Sequence, residues 1–136
     1  MFAIFYAHRH RVLMVRITGV LSSEDIDTHD RVVLRFLAGK EDVRAIYDLS
    51  GVETLAIPAS KIAQRGQRPA IVSGQRIVVS SSTGGAEFVR IIADEQRTAG
   101  LAEPIVVPTL EQAYARMGLD KDAVFEPVDR KSTRLN

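Results

Sequence analysis

Short apolar runs and longer stretches with helical spacing alternate along the chain, and the alternation predicts five strands and four helices. At the N-terminus, Phe2–Tyr6 is apolar and aromatic, and Arg11–Thr18 is a second, largely apolar run after a short polar break. Two strands joined by so short a break are typical of an antiparallel hairpin. Three further apolar runs predict strands at 43–47, 76–80 and 105–107.

The stretches between these runs carry helix signals at their starts and ends. Ser22 with Asp25 three residues later resembles a capping box, and Gly39 ends the first predicted helix. Thr109 with Gln112 gives the same signal at the start of the last helix. The second helix has only a thin apolar face, which would suit a lid. The four predicted helices span about 22–39, 57–66, 83–100 and 109–118.

The resulting order, ββαβαβαβα, predicts an α/β fold with a mixed, largely parallel five-stranded sheet. After the hairpin, each helix returns the chain to the start of the next strand, which requires right-handed crossovers and parallel neighbours. The first strand is then antiparallel, at or near an edge of the sheet. Residues 1–128 are predicted to form a single domain, and the polar residues 129–136 are expected to be a disordered or artefactual tail.

Composition excludes several classes of function without naming one. A net charge of +1 provides no field for nucleic acid, and no apolar run is long enough for a membrane span, so we expect neither. The absence of cysteine excludes disulfides and thiolate chemistry and fits a cytoplasmic location. His8 and His10 lie in the polar break between the first two strands, and the neighbours His29 and Asp30 are not expected to face each other. We therefore predict no metal, no cofactor and no catalytic site.

Three segments resemble elements of the STAS family, named for sulfate transporters and anti-sigma factor antagonists. Residues 14–21 resemble the family's second strand and its exit into the first helix, and residues 105–117 resemble its last strand and helix. The segment most similar in its letters ends the third strand and reads Asp48-Leu49-Ser50-Gly51-Val52. The resemblance implies a STAS-like fold and a non-catalytic regulatory role in which a protein partner is bound.

In the family's anti-sigma factor antagonists, phosphorylation of a serine at the start of the next helix switches partner binding. The matching position here falls on Ile57 or Pro58, which have no hydroxyl, and Ser60 lies two to three residues later. The resemblance therefore implies a partner surface on the loop 49–58 and the second helix, without that switch. The predicted partner-binding residues are Asp48, Ser50, Leu55, Ala56, Ile57, Ser60, Lys61 and Arg65.

A small-ligand binding domain is the alternative to a partner-binding module. One ligand would be an apolar or lipid-like molecule under the second helix. The other would be an anion before the third helix, where backbone N–H groups and the helix dipole favour negative charge. Those residues could equally cap the helix, and Asp48 could cap its own turn. An exposed edge of the hairpin could also pair two copies as a homodimer. The candidate anion-binding residues are Ser81, Ser82, Thr83, Gly84 and Gly85.

Overall fold

The computed structural model describes residues 1–128, which form a mixed six-stranded sheet with helices on both faces. The predicted tail, 129–136, lies outside the described residues. In the described part of the chain, no helix is both long and apolar enough to cross a lipid bilayer. The strands are β1 (Phe2–Ala7), β2 (Val12–Ser22), β3 (Arg44–Ala56), β4 (Arg76–Val79), β5 (Ile105–Val107) and β6 (Glu126–Pro127). The helices are α1 (Ser23–Leu37), α2 (Ala59–Gly66), α3 (Thr83–Thr98) and α4 (Leu110–Met117).

The strands lie in the order β5-β4-β3-β2-β1-β6. Strands β2 to β5 run parallel to one another, and β1 is antiparallel to β2, as the hairpin predicted. The predicted number of five strands is wrong, because β6 pairs antiparallel with β1 and adds a sixth. Its two residues, Glu126 and Pro127, are too few to show a period in the sequence. Strand β1 therefore lies one position in from the edge.

The third strand is much longer than the sequence predicted. The predicted strand ends at Tyr47, yet β3 continues to Ala56 and stays paired with β2 up to that residue. The pairing register with β2 shifts just after Asp48, which is the mark of a β-bulge. Ser50 therefore lies in a local irregularity of the strand and does not begin a turn. The prediction of a loop at 49–58 is wrong, since all but the last two of these residues belong to the strand.

Two hydrophobic cores lie on opposite faces of the sheet, because successive strand residues point to opposite sides. In β3, Ala45 and Leu49 face the larger core, which α1, α2 and α3 cover, whereas Ile46 faces the smaller core under α4. The fully buried Leu13 and Phe36 belong to the larger core. We name these two sides of the sheet the three-helix face and the α4 face.

The helices begin and pack as their sequences require. The predicted capping box of α1 is confirmed: the Ser22 hydroxyl accepts from the backbone N–H of Asp25 at 3.2 Å, and the Asp25 carboxylate accepts from the Ser22 N–H at 3.1 Å. Helix α2 packs closely on α3 at Gly66. A Cβ atom at Gly66 would lie only 2.8 Å from the Cβ of Glu95 and 3.1 Å from the carbonyl oxygen of Ile92. A glycine at this position lets α2 lie directly against α3.

Candidate functional site

The predicted partner-binding residues do not form one surface. Asp48 points to the α4 face, because it lies between Tyr47 and Leu49, which point to the three-helix face. Lys61 and Arg65 lie on α2, which covers the opposite side of the sheet. The sheet therefore lies between Asp48 on one side and Lys61 and Arg65 on the other. Among the eight residues, Asp48 and Ile57 are buried, Leu55 and Arg65 are partly buried, and Ser50, Ala56, Ser60 and Lys61 are exposed.

Asp48 has a local structural role. Its carboxylate accepts hydrogen bonds from the Ser50 hydroxyl at 2.6 Å and from the Ser50 backbone N–H at 3.1 Å. Arg16, its cross-strand neighbour on β2, donates a third hydrogen bond at 3.3 Å. These bonds fix the bulge in β3, so Asp48 has a local capping role, but at an irregularity inside the strand and not at the turn that the sequence suggested. Its partners within the chain leave little of this carboxylate for a binding partner.

Ile57 contributes to the core instead of the surface. It is only 9% exposed and belongs to the larger hydrophobic cluster with Val52 and Ile62. Leu55 packs against the same cluster. The reason is the course of β3, which stays paired with β2 as far as Ala56. Its register shifts between Val52 and Thr54, so that Val52, Leu55 and, just after the strand, Ile57 all lie on the core side. Ile57 was predicted as a partner-binding residue at the surface, and its position in the core shows that this placement is wrong.

The two cations of α2 are engaged within the chain. Arg65 donates to both carboxylate oxygens of Asp30 on α1, at 2.9 and 3.0 Å. Lys61 lies 3.7 Å from the carboxylate of Asp27, also on α1. A two-point guanidinium–carboxylate contact is directional and stronger than a neutral hydrogen bond. These pairs join α2 to α1, so Arg65 acts first as a structural link.

What remains exposed between β3 and α2 is a group of small residues. Ala56 ends the strand, Pro58 is the N-cap residue of α2, and Ala59 and Ser60 form its first turn. All four are exposed, and Pro58 makes no side-chain capping bond. We name Ala56, Pro58, Ala59 and Ser60 the β3–α2 surface. Short side chains of this kind would let another protein approach the backbone closely.

The candidate anion segment works as a helix cap. The Ser82 hydroxyl accepts from the Gly85 backbone N–H at 3.1 Å and donates to the Leu49 carbonyl at 3.3 Å. A Cβ atom at Gly85 would lie 3.1 Å from that carbonyl oxygen, so the glycine allows α3 to pack on β3. Ser81 and Thr83 are exposed on either side of the cap. The capping role left open by the sequence accounts for Ser82 and Gly85, and anion binding by this segment stays a prediction.

A cavity that the sequence did not predict lies on the three-helix face. It has a volume of about 90 Å³ and lies between the sheet and the helices that cover it. Most of its lining is apolar, and the partly buried Ala70, Ile71 and Arg76 bring the lining toward the surface. Its apolar lining is Ile17, Ile26, Leu49, Ala70, Ile71, Val78, Phe88, Val89, Ile92 and Pro104.

A buried polar cluster forms one part of the cavity wall. The His29 Nδ1 atom lies 3.0 Å from the Asp30 carboxylate, so these neighbours do contact each other, contrary to the prediction. Burial raises the pKa of the Asp30 carboxyl, but hydrogen bonds from His29 and Arg65 and the Arg65 charge outweigh burial, and the net pKa lies below its ordinary value. Asp30 is therefore ionised at neutral pH. The other imidazole nitrogen of His29, Nε2, has no hydrogen-bond partner among residues 1–128.

Two further polar side chains line the same cavity. Gln96 is 2% exposed, and its Oε1 atom has no partner in the described part of the chain. Burial raises the pKa of Tyr47 to about 12, so its hydroxyl stays protonated at physiological pH. The sequence contained a signal for His29 and Gln96, the two cavity residues that have an unpartnered atom in the described part of the chain. His29 lies in helical register with Val32, Val33 and Phe36, and Gln96 falls on the apolar side of α3.

The cavity is better suited to binding a small molecule than to holding a metal ion. Among residues 1–128 there is no group of three or more His, Cys, Asp and Glu side chains that could hold a metal ion. The cavity is lined by apolar residues together with a few polar ones, which is the usual make-up of a small-molecule site.

Comparison with known proteins supports the fold. The structure superposes on that of the anti-sigma factor antagonist SpoIIAA in its unphosphorylated form with a TM-score of 0.54. The sequences are 14% identical, and the match covers 87% of this chain and 98% of the other. No protein family matches the sequence, and no curated protein does. At this identity the likeness concerns the fold alone, which is α/β and STAS-like.

Proposed function

We propose that this chain is a non-catalytic regulatory module that acts by binding a protein partner. The observation that carries the proposal is the fold, shared with the anti-sigma factor antagonist SpoIIAA over nearly the whole length of both chains. The cytoplasm is the compartment in which we place this role. Since fold alone does not determine function, the argument depends on which surface the structure leaves free.

The β3–α2 surface is the proposed docking site. Its four residues are exposed. The ion pairs of Lys61 and Arg65 with α1 hold the helix in place behind this surface. A partner would gain affinity from close packing on Ala56 and Ala59 and specificity from charges at the rim. Because Ile57 and Pro58 lack a hydroxyl, we propose that phosphorylation at that position does not switch docking.

A matched pair of variants tests this surface. Ala59 and Ala115 are exposed alanines on two eight-residue helices, α2 and α4, on opposite faces of the sheet. We expect Ala59→Arg to lose the proteins captured by the wild-type chain from an extract of its own cells, and Ala115→Arg to retain them. Quantitative mass spectrometry measures the capture, and circular dichroism verifies that both variants fold. Equal capture by the two variants would remove the β3–α2 surface from the proposal.

Small-ligand binding is a second candidate function, and the cavity on the three-helix face favours it. His29 and Gln96 both line one apolar cavity, and each has a buried polar atom, Nε2 and Oε1 respectively, for which residues 1–128 supply no partner. The cavity lies between the sheet and the helices, and Arg65 is the residue of α2 in its lining. The two candidates are compatible, because the β3–α2 surface faces outward.

A further inference from the structure

We propose that the cavity on the three-helix face binds a small, uncharged molecule with an apolar body and one hydroxyl group, which donates a hydrogen bond to Gln96 Oε1. This inference rests on the second candidate function and specifies its ligand. A phenol is the simplest compound of this class.

The buried polar atoms indicate a ligand that donates a hydrogen bond. More than nine-tenths of Gln96 is buried, and so is the His29 side chain, at 8% exposure. An unpaired buried acceptor has lost its hydrogen bonds to water without replacement, so such atoms are rare in native proteins unless something else satisfies them. The amide oxygen of Gln96 can only accept. In a neutral His29 ring whose Nδ1–H faces Asp30, Nε2 accepts as well.

The charges around the cavity favour an uncharged ligand. The Asp30 carboxylate is matched by the two-point contact from Arg65, which leaves no charge free in that pair. Arg76 is only partly buried and donates to the backbone carbonyl of Ala102, so its guanidinium lies toward the surface. Tyr47 keeps its proton, because burial raises its pKa to about 12. A charged ligand group deep in the cavity would lack a counter-ion there and would be costly to bury.

The size of the cavity limits the ligand to a few heavy atoms. Its volume of about 90 Å³ far exceeds the roughly 10–15 Å³ that one water molecule needs. It is smaller than the roughly 150 Å³ of an engineered apolar cavity that binds benzene. A single aromatic ring fits only if the partly buried lining residues Ala70 and Ile71 move outward. That side belongs to the irregular segment between α2 and β4, which makes it the natural entrance.

Three probes of similar size separate the possible ligand classes. Phenol, toluene and benzoate are titrated into the full chain, and binding is followed in spectra with labelled isoleucine methyl groups. We expect phenol to shift the methyl signals of Ile17, Ile26 and Ile92 and to leave those of Ile46 and Ile77, which lie on the α4 face, unchanged. Phenol is expected to bind about three- to tenfold more tightly than toluene, the gain of one hydrogen bond.

A substitution at Gln96 tests the acceptor itself. Gln96→Leu keeps a similar volume and removes the oxygen, and it is expected to abolish the preference for phenol over toluene while retaining toluene binding. Gln112→Leu, on the exposed side of α4, is the matched control and leaves the preference intact. A preference that survives Gln96→Leu overturns the assignment of Gln96.

The possible failures can be told apart. If none of the three probes shifts the cavity methyl signals, small-ligand binding itself is excluded at this site. If toluene binds as tightly as phenol, the cavity is a ligand site but the hydroxyl requirement is wrong. If benzoate binds most tightly, the ligand class is anionic and the proposal is overturned.

Discussion

The two faces of the sheet treat buried polar groups differently. On the α4 face, the buried carboxylate of Asp48 accepts three hydrogen bonds, two from Ser50 and one from Arg16. On the three-helix face, His29 and Gln96 each keep a buried polar atom for which residues 1–128 supply no partner. Since satisfied buried groups are the rule in native proteins, the unpaired atoms of the two cavity-lining residues mark a place where another molecule would complete the bonding. The Ser80 hydroxyl is also buried without a partner among residues 1–128, but Ser80 does not line the cavity.

Packing follows the same division. On the α4 face, Ile46 and Ile77 are 0% exposed and face a single helix. On the three-helix face, the helices leave a cavity of about 90 Å³ above the central strands. A close-packed core contributes stability, whereas a cavity gives up some contacts. The larger core therefore combines structural packing with a candidate ligand site, whereas the smaller core packs closely under α4.

The largest expected effect compares one core residue from each face. Ile77→Ala removes a fully buried side chain from the α4 face and should cost about 3–5 kcal/mol of unfolding free energy. Ile17→Ala should cost less, about 2–3 kcal/mol, because Ile17 borders the cavity and has fewer packing partners on that side. Urea denaturation measures both values. Leu34→Ala, at a position 63% exposed, is the control and should stay within about 0.5 kcal/mol.

The next effect tests the polar cluster through its pH dependence. Asp30→Asn removes the carboxylate that accepts two hydrogen bonds from Arg65 and contacts His29, and should cost about 1.5–3 kcal/mol at neutral pH. The pKa of Asp30 lies below its unfolded value, so its stabilisation is present above about pH 4 and is lost as the pH falls through the folded pKa. Wild type and variant should therefore converge in acid.

Denaturant unfolding at neutral pH and at about pH 3 measures that convergence. Asp27→Asn is the matched control, because its contact with Lys61 is longer, at 3.7 Å, and its side chain is 65% exposed. An exposed pair of this kind contributes about 0–1 kcal/mol. A difference between wild type and Asp30→Asn that stayed constant down to acid pH would contradict the assigned pKa direction.

The smallest expected effect compares helix caps on the two faces. Ser82→Ala should cost about 1–2 kcal/mol, because the hydroxyl caps α3 and also donates to the Leu49 carbonyl. Thr109→Ala should cost only about 0.5–1 kcal/mol, since that hydroxyl makes the single capping bond to Gln112. Thermal unfolding ranks the two variants. The reverse ranking would mean that the bond from Ser82 to β3 contributes nothing.

Much of the fold could be predicted because its signals are local. The hairpin, the capping residues Ser22 and Thr109, and the helical spacing of α1 and α4 each depend on neighbours in sequence. The length of β3 depends on pairing with β2, a contact between distant segments, and so Ser50 and Gly51 were wrongly taken for a turn. Strand β6 is too short to carry any pattern.

The candidate site could be predicted only in part. The sequence predicted a contact region near β3 and α2, and that region stays a prediction. It could not show that Ile57 turns inward, because that follows from the true end of β3. Nor could it show the cavity, whose volume depends on how three helices pack side chains of different size over one sheet.

Site-specific photo-crosslinking in the cells of origin tests the proposed docking surface most directly. A photoreactive amino acid is placed at Ala59, at the start of α2, or at Ala115, on the far side of the sheet. The account predicts a discrete crosslinked protein from position 59 and none from position 115. A crosslink from position 115 alone, or from neither position, would contradict it.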